Sequence, residues 1–203
     1  MSEIKLLFAG PMGAGKTTAI RAISEIEPIS TEVENTDFSE SDKAETTVAM
    51  DYGELTLDSG DKLRLYGSPG QKRFEFMWPL LAQGALGVVV LLDNSRPEPL
   101  ADLEDFLSAF SGLIEAGRVV VAVGRLETHP QPGLDDYLAS VSRRGQFLPV
   151  IGADVRRRDD VVGMLELLFE QIESTASTAA AAVAAGAAGD DEWLQFVQRA
   201  RAQ

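Results

Sequence analysis

The sequence predicts an α/β fold of three layers: a mostly parallel six-stranded sheet with one antiparallel edge strand, and helices on both faces. Three observations carry this. The apolar runs at residues 4–10, 85–93 and 118–124 lack polar alternation, the pattern of strands buried on both faces. Stretches with apolar residues at helical spacing lie between them. One hairpin signal, DSGD at 58–61, joins two further strands.

Taken in order, IKLLFAG (4–10) is a strand that ends in glycine. Residues 16–26 place Ala19, Ile20, Ala22, Ile23 and Ile26 on one helical face. Residues 27–45 are polar and acidic without a period and read as a long loop, a kind usually functional in a compact domain. Residues 46–57 and 61–67 read as the two hairpin strands, and 74–83 as a helix that stops before Gly84. After the strand at 85–93, Pro97 and Pro99 open a helix through Leu103, Phe106, Leu107, Phe110 and Leu113. The strand at 118–124 precedes a short helix at 134–141, a last strand and loop at 146–154, and an amphipathic helix at 161–172. Past Ser174 the composition changes. The expected organisation is a domain over residues 1–174, an Ala/Gly-rich linker over 175–189 and an amphipathic helix over 190–203. That helix carries Trp193, Phe196, Val197 and Ala200 on one face, with acidic residues at its start and arginines near its end.

Composition narrows the function classes. Of 203 residues, 45% are hydrophobic, which suits a soluble globular chain. The longest apolar run, 85–92, is far shorter than the ~20 residues that span a bilayer. The first residues lead directly into a strand, unlike a signal peptide, so a cytoplasmic location without membrane insertion is expected. There is no cysteine, which removes disulfides and thiolate metal sites. A net charge of −14 argues against nucleic acid and acidic lipid as partners. Acidic residues crowd 25–45, with Lys43 the lone base there, so that segment suits a basic protein surface. His129 receives no role.

Function enters with GPMGAGKT, residues 10–17, which fits G-x-x-x-x-G-K-[ST] between a predicted strand and a predicted helix. Gly10, Gly13 and Gly15 let the backbone curl, so that N–H groups of the run Met12, Gly13, Ala14, Gly15, Lys16, Thr17 and Thr18 can face phosphates. The helix N-terminus adds its dipole. Lys16 would reach the β- and γ-phosphates, and Thr17 would offer its hydroxyl to Mg²⁺. The loop predicts the P-loop NTPase fold but does not choose between ATP and GTP.

With ETTVAMDYGEL (45–55) and LYGSPGQKRFEFMW (65–78) added, the chain resembles the small Ras-like GTPases, above all the bacterial branch typified by MglA. The spacing from Gln71 to Trp78 is also similar to the Arf-like group. The resemblance covers the chain through residue 174, making that part a G domain, and leaves the tail unexplained. It implies that Thr47, with Thr46 as the alternative, coordinates Mg²⁺ when a γ-phosphate is present. It implies that Gly70 offers its N–H to that phosphate and that Gln71 orients the attacking water. Lys16, Thr47 and Gln71 would be the catalytic set. Trp78, Phe74 and Met77 would pack beneath the switch.

The chain departs from the family pattern in three places. Gly67 stands where the pattern has the Asp that holds a Mg²⁺-bound water, and no carboxylate replaces it locally, so weaker Mg²⁺ retention in the diphosphate state is expected. The guanine-reading N-K-x-D becomes Gly124-Arg125-Leu126-Glu127. Arg125 can cover the base plane and Glu127 can accept from guanine N1 and N2, with Asp154 of the next loop assisting if Glu127 does not. No arginine finger is clear; Arg73 and Arg64 are the candidates considered. The resemblance thus implies a GTP/GDP switch that hydrolyses GTP slowly with Mg²⁺, meets protein effectors and a roadblock-type activator, and belongs to polarity or motility control. Two alternatives stand beside it: a non-catalytic nucleotide-binding scaffold, and a small-molecule kinase, which would need an acidic Mg²⁺ partner and an arginine-rich lid, whereas the basic cluster Arg156-Arg157-Arg158 lies late in the chain.

Overall fold

The computed structural model describes the backbone of residues 3–33 and 48–184, and the side chains of 3–29 and 50–178. The chain runs β1 (Glu3–Ala9), α1 (Lys16–Ile23), β2 (Ile29–Val33), β3 (Val48–Thr56), β4 (Lys62–Gly67), a 3-10 turn (Lys72–Phe74), α2 (Met77–Ala82), β5 (Ala85–Asp93), α3 (Pro99–Ala109), α4 (Ser111–Glu115), β6 (Val119–Gly124), α5 (Leu134–Arg143), β7 (Val150–Gly152) and α6 (Arg158–Ala184). The strands form one sheet in the order β2-β3-β4-β1-β5-β6-β7. Only β2–β3 and β3–β4 pair antiparallel; β1, β4, β5, β6 and β7 pair in parallel.

The three expected layers are present. Ile20 and Ile23 of α1 and Met164, Leu165 and Leu168 of α6 pack on one face of the sheet against Leu6, Phe8, Leu91 and Val120. Trp78 of α2, Phe106 of α3 and Tyr137 of α5 pack on the other, against Leu7, Val90, Leu92 and Val121. This double cover explains the unbroken apolar run of β5, which is buried at every position.

The sheet has a seventh strand that sequence periodicity missed. β2 lies in the stretch read as loop and pairs with β3 from Ile29↔Tyr52 to Val33↔Val48. Its mixed sequence, ISTEV, lacks a buried-strand signature because it is an edge strand held by main-chain pairing. β2 takes the edge, and the antiparallel β3 lies inside it.

Boundaries moved for identifiable reasons. Helix α1 stops at Ile23, short of residue 26, because Ser24 turns the chain toward β3: its hydroxyl oxygen accepts the N–H of Ile26 and of Glu54. The helix expected over 74–83 splits into the 3-10 turn and α2, with Pro79 confined to the first turn of α2. The α3–α4 stretch breaks at Phe110, whose φ and ψ leave the helical region. The last strand shrinks to Val150–Gly152.

Helix α6 does not end near residue 172 but runs through Ala184, across the first part of the expected linker. Alanine has the highest helix propensity of any residue, so an Ala-rich stretch extends a helix already docked. Thr175 donates to the Gln171 carbonyl at 2.9 Å and packs against Gly117, where there is no room for a Cβ. The expected C-terminal helix, residues 190–203, lies outside the described residues, as do Thr46 and Thr47.

Candidate functional site

The chain leaves β1 at the centre of the sheet, where its neighbours β4 and β5 lead to opposite sides. The crevice outside the carboxyl ends of such strands is the ligand site of open α/β sheets. Residues 10–17 fill it. Gly10 (φ 148°), Gly13 (φ 86°) and Gly15 (φ 92°) hold positive φ, which an L side chain resists, so the curl needs these glycines. Gly10 also lies against the Leu91 carbonyl with no space for a Cβ. Ala14 is buried and its N–H returns to the Pro11 carbonyl at 3.2 Å.

Lys16 lies beneath this loop. Its ammonium donates to the Gly10 and Pro11 carbonyls at 2.8 Å each, and the side chain is buried. Burial pulls its pKa down to about 8; the Asp51 carboxylate opposes this, and the Arg96 charge adds to it. Thr17, the next residue, donates its hydroxyl to the Asp51 carboxylate at 2.5 Å.

A carboxylate does lie beside position 67, on the neighbouring strand. Asp51 pairs with Gly67 across β3–β4, and a Cβ on Gly67 would lie 3.1 Å from the Asp51 Cβ and 3.2 Å from its Oδ2. The small residue at 67 leaves room for the acid at 51. Asp51 lay within the quoted motif AMDYG, but its partner at 67 is distant in sequence, and only the strand register joins them.

The donor set fits Mg²⁺. Thr17 and Asp51 are hard oxygen groups beside a phosphate loop, and Mg²⁺ takes one or two protein oxygens and completes its shell with phosphate and water. Thr17 would ligate while its O–H stays on Asp51, the outer partner that orients a metal ligand.

The switch turn lies on the other side of the loop. The Gly70 carbonyl accepts the Met12 N–H at 3.0 Å, and a Cβ on Gly70 would lie 2.5 Å from that nitrogen and 2.7 Å from the Lys16 Nζ. Gln71 follows, exposed, with its carbonyl taking the Phe74 N–H. Trp78 anchors the turn from below, donating its indole N–H to the Pro69 carbonyl at 2.8 Å and stacking on Phe106 with ring centroids 4.1 Å apart. Phe74 is buried as expected, and Met77 is half-buried. The Met12 side chain is exposed at the mouth of the loop.

Beyond the phosphate loop, a cavity of about 650 Å³ runs past Gly13, Gly15 and Thr18 to Gly124, Arg125, Glu127, Asp154 and Arg156. That volume lies within the range of small-ligand pockets. Val155 packs on Gly15 and so brings the last loop against the first. Arg125 adopts a left-handed φ of 64° and folds its guanidinium back onto the Asp93 carboxylate (3.3 Å) and the Ser95 hydroxyl (2.9 Å). Glu127 lines the cavity, and its carboxylate makes no hydrogen bond or ion pair among the described residues. Asp154 is committed: it accepts from the Arg156 guanidinium and from the Arg156 main-chain N–H, which hold its pKa down at about 2. Gly124 has no side chain to tie the loops together, and Asn94 does so instead. Its amide donates to the His129 and Pro132 carbonyls at 2.6 and 3.0 Å, and its oxygen accepts the Tyr137 hydroxyl. Sequence reading missed Asn94; a second polar residue after Asp93, where the apolar run of β5 ends, is the signal that was there.

Comparison with known proteins agrees with the fold. A family described as "Conserved hypothetical ATP binding protein" matches residues 27–125, a span that begins after the phosphate loop. The intraflagellar transport protein 22 homolog of Danio rerio is 26% identical over 170 residues, covering 80% of this chain and 85% of that protein. An uncharacterized protein of Methanocaldococcus jannaschii is 37% identical over 94 residues, 46% of this chain and 53% of the relative. In structure, the G domain of the T. maritima FeoB iron transporter superposes with a TM-score of 0.55 at 19% identity, covering 86% of this chain and 99% of that one. At that identity the likeness is one of fold.

Proposed function

Because the chain has the P-loop NTPase fold in its G-domain form, we propose that it is a nucleotide-operated switch that binds GTP and GDP with Mg²⁺ and hydrolyses GTP to GDP. One observation carries the reading. The Gly70 main chain lies against the Lys16 ammonium and the Met12 N–H, so an anion seated in the loop must set the position of the Gln71 turn. Ligand identity is thereby converted into the shape of the surface at 70–77.

The residues take their roles from this geometry. The loop amides and Lys16 hold the phosphates, and Thr17 with Asp51 holds Mg²⁺, which would supply charge against the developing phosphate oxygens. Gln71, exposed beside the loop, orients water; Thr47 would complete the metal shell. Glu127 reads the base edge, with Asp154 bound elsewhere. Gln71 and the exposed apolar Phe76 and Leu80 mark the face that effectors or an activating protein would meet. Nothing in the relatives named above supports a roadblock-type activator or a role in bacterial polarity or motility, and that part of the expectation is not carried forward. Among the described residues no helix is long and apolar enough to cross a membrane.

A second reading has its own observation. Gly124 and Glu127 replace the guanine-reading Asn and Asp, and the matching family carries ATP in its description, so a nucleotide-binding scaffold without guanine preference is the competitor. A small-molecule kinase is a third reading; its lid arginines would be Arg156 and Arg157, which lie on the surface beside Asp154 and Asp160. Calorimetry of GTP, GDP, ATP and ADP on nucleotide-stripped protein with Mg²⁺ separates the two leading readings. Guanine binding at least a hundredfold tighter is expected; equal affinities would hand the case to the scaffold.

A further inference from the structure

The first turns of α3 hold two cations at the rim of the phosphate site. Asp102 and Asp105 are three residues apart and share one helix face. Asp105 takes Lys72, the residue after Gln71, at 2.7 Å. Asp102 takes Arg96, with Nε and an NH2 group at 2.5 and 3.3 Å.

Arg96 is placed by the residue at the end of β5. Its N–H donates to the Asp93 carbonyl at 3.2 Å, and the Asp93 carboxylate lies 4.0 Å from where a Cβ on Gly13 would stand. Arg96 thus follows closely on the residue that faces the phosphate loop, and its guanidinium lies on the helix face that also holds the residue after Gln71. Its charge reaches Lys16, where it helps to lower the pKa. The other arginines considered point away from this helix face. Arg64 pairs with Glu3, Arg73 stacks on the Phe74 ring at 4.7 Å, and Arg125 is folded onto Asp93 and Ser95.

We propose that Arg96 is the catalytic arginine of this site, parked on Asp102 in the free protein and transferred to the γ-phosphoryl oxygens when GTP is bound. The inference rests on the GTPase reading above. In the step it serves, a water oxygen bonds to the γ-phosphorus while the bond to the β–γ bridging oxygen breaks. GDP, inorganic phosphate and one proton are the products, and Arg96 remains protonated throughout and contributes charge alone. The exchange is easy on the Asp102 side, because that pair is partly solvated, with side chains 36% and 20% exposed. A planar guanidinium then meets planar phosphoryl oxygens in two parallel hydrogen bonds. An arginine supplied in cis also removes the need for one from a partner.

The test is single-turnover hydrolysis of preloaded GTP by the full chain, together with uptake of aluminium fluoride by the GDP complex, which mimics the planar transferring phosphoryl group. Arg96→Ala should slow hydrolysis by at least a hundredfold and abolish aluminium fluoride uptake, with GDP affinity within twofold of the parent. Arg96→Lys should recover part of both. Asp102→Asn, which releases the guanidinium, should hydrolyse as fast as the parent or faster. Unchanged hydrolysis and fluoride uptake in Arg96→Ala would overturn the proposal. So would a loss of GDP affinity as large as the loss of rate, which marks a structural role. A parent protein that binds no GTP would defeat the GTPase reading first; a parent that turns over beside an unaffected Arg96→Ala would defeat this inference alone.

Discussion

Asp51 stands directly across the β3–β4 pair from Gly67 and reaches over it to the Thr17 hydroxyl at 2.5 Å. The family pattern puts an acid at the end of β4; here Gly67 stands there and the acid nearest Thr17 is on β3. Removing the acid should therefore weaken metal binding, and moving it back should restore it. Asp51→Ala is expected to weaken Mg²⁺-dependent GDP retention by about 10- to 100-fold, the usual effect of removing a partner that orients a metal ligand. Gly67→Asp alone should do no better, since two like charges would crowd one site. The double variant should recover most of the loss. GDP off-rates measured with and without Mg²⁺ decide it, and strict additivity of the two changes would refute the coupling.

Gly70 has no room for a side chain. A Cβ would meet main-chain atoms of Met12 and Pro11 and the Lys16 ammonium at 2.5–2.7 Å, and the main-chain atoms cannot move aside cheaply. Gly70→Ala should displace the turn and weaken GTP binding by tenfold or more, about 1.4 kcal/mol, with GDP little affected. Equal losses for both nucleotides would mean that the turn supports the loop without sensing the third phosphate.

Lys16 makes binding depend on pH. In the free protein burial holds its pKa at about 8 against an ordinary 10.5, and phosphate contact should raise it again. The complex then binds more protons than the free protein, so affinity is greatest below pH 8 and falls as pH rises through 8 toward 10. The limiting slope is about tenfold per pH unit. Calorimetry at pH 8.5 in buffers of different ionisation heat should show proton uptake; a heat independent of buffer would contradict it.

Of the two carboxylates at the base loop, Glu127 makes no hydrogen bond or ion pair among the described residues, and Asp154 is held by Arg156. Glu127→Gln should lower guanine affinity tenfold or more and leave adenine unchanged, because an amide cannot accept from both N1 and N2 of guanine. Asp154→Asn should change the preference less, since Arg156 already occupies that carboxylate. The opposite ranking in nucleotide competition would make Asp154 the base reader.

Phe106 couples the switch to the core. It stacks on Trp78, which in turn holds the Pro69 carbonyl. Phe106→Ala should destabilise the chain by about 3–5 kcal/mol in denaturant titration, the usual range for deleting a buried aromatic ring. A change under 1 kcal/mol would show that the ring is not packed as described.

How much was legible in the sequence depends on the range of the interactions involved. The phosphate loop was readable because its glycines, Lys16 and Thr17 are contiguous and each local geometry has a residue-type signature. The three layers were readable because β5 and β6 are apolar along nearly their whole length, which only double cover explains. β2 was invisible because an edge strand is held by main-chain hydrogen bonds that carry no side-chain pattern. The end of α6 was misread because an Ala-rich stretch looks like a linker in composition yet continues a helix anchored by tertiary contact.

The sequence by itself therefore determined the fold class, the phosphate loop and the position of the switch turn, all set by residues close together in the chain. Tertiary structure alone decided which acid Thr17 bonds, which acid holds Arg96, and that Lys72 lies on Asp105. Each joins a charged group to an oppositely charged or polar partner. Strand register or the docking of a helix brings such groups within 4 Å, and only at that range do Coulomb attraction and hydrogen bonding select one partner over another.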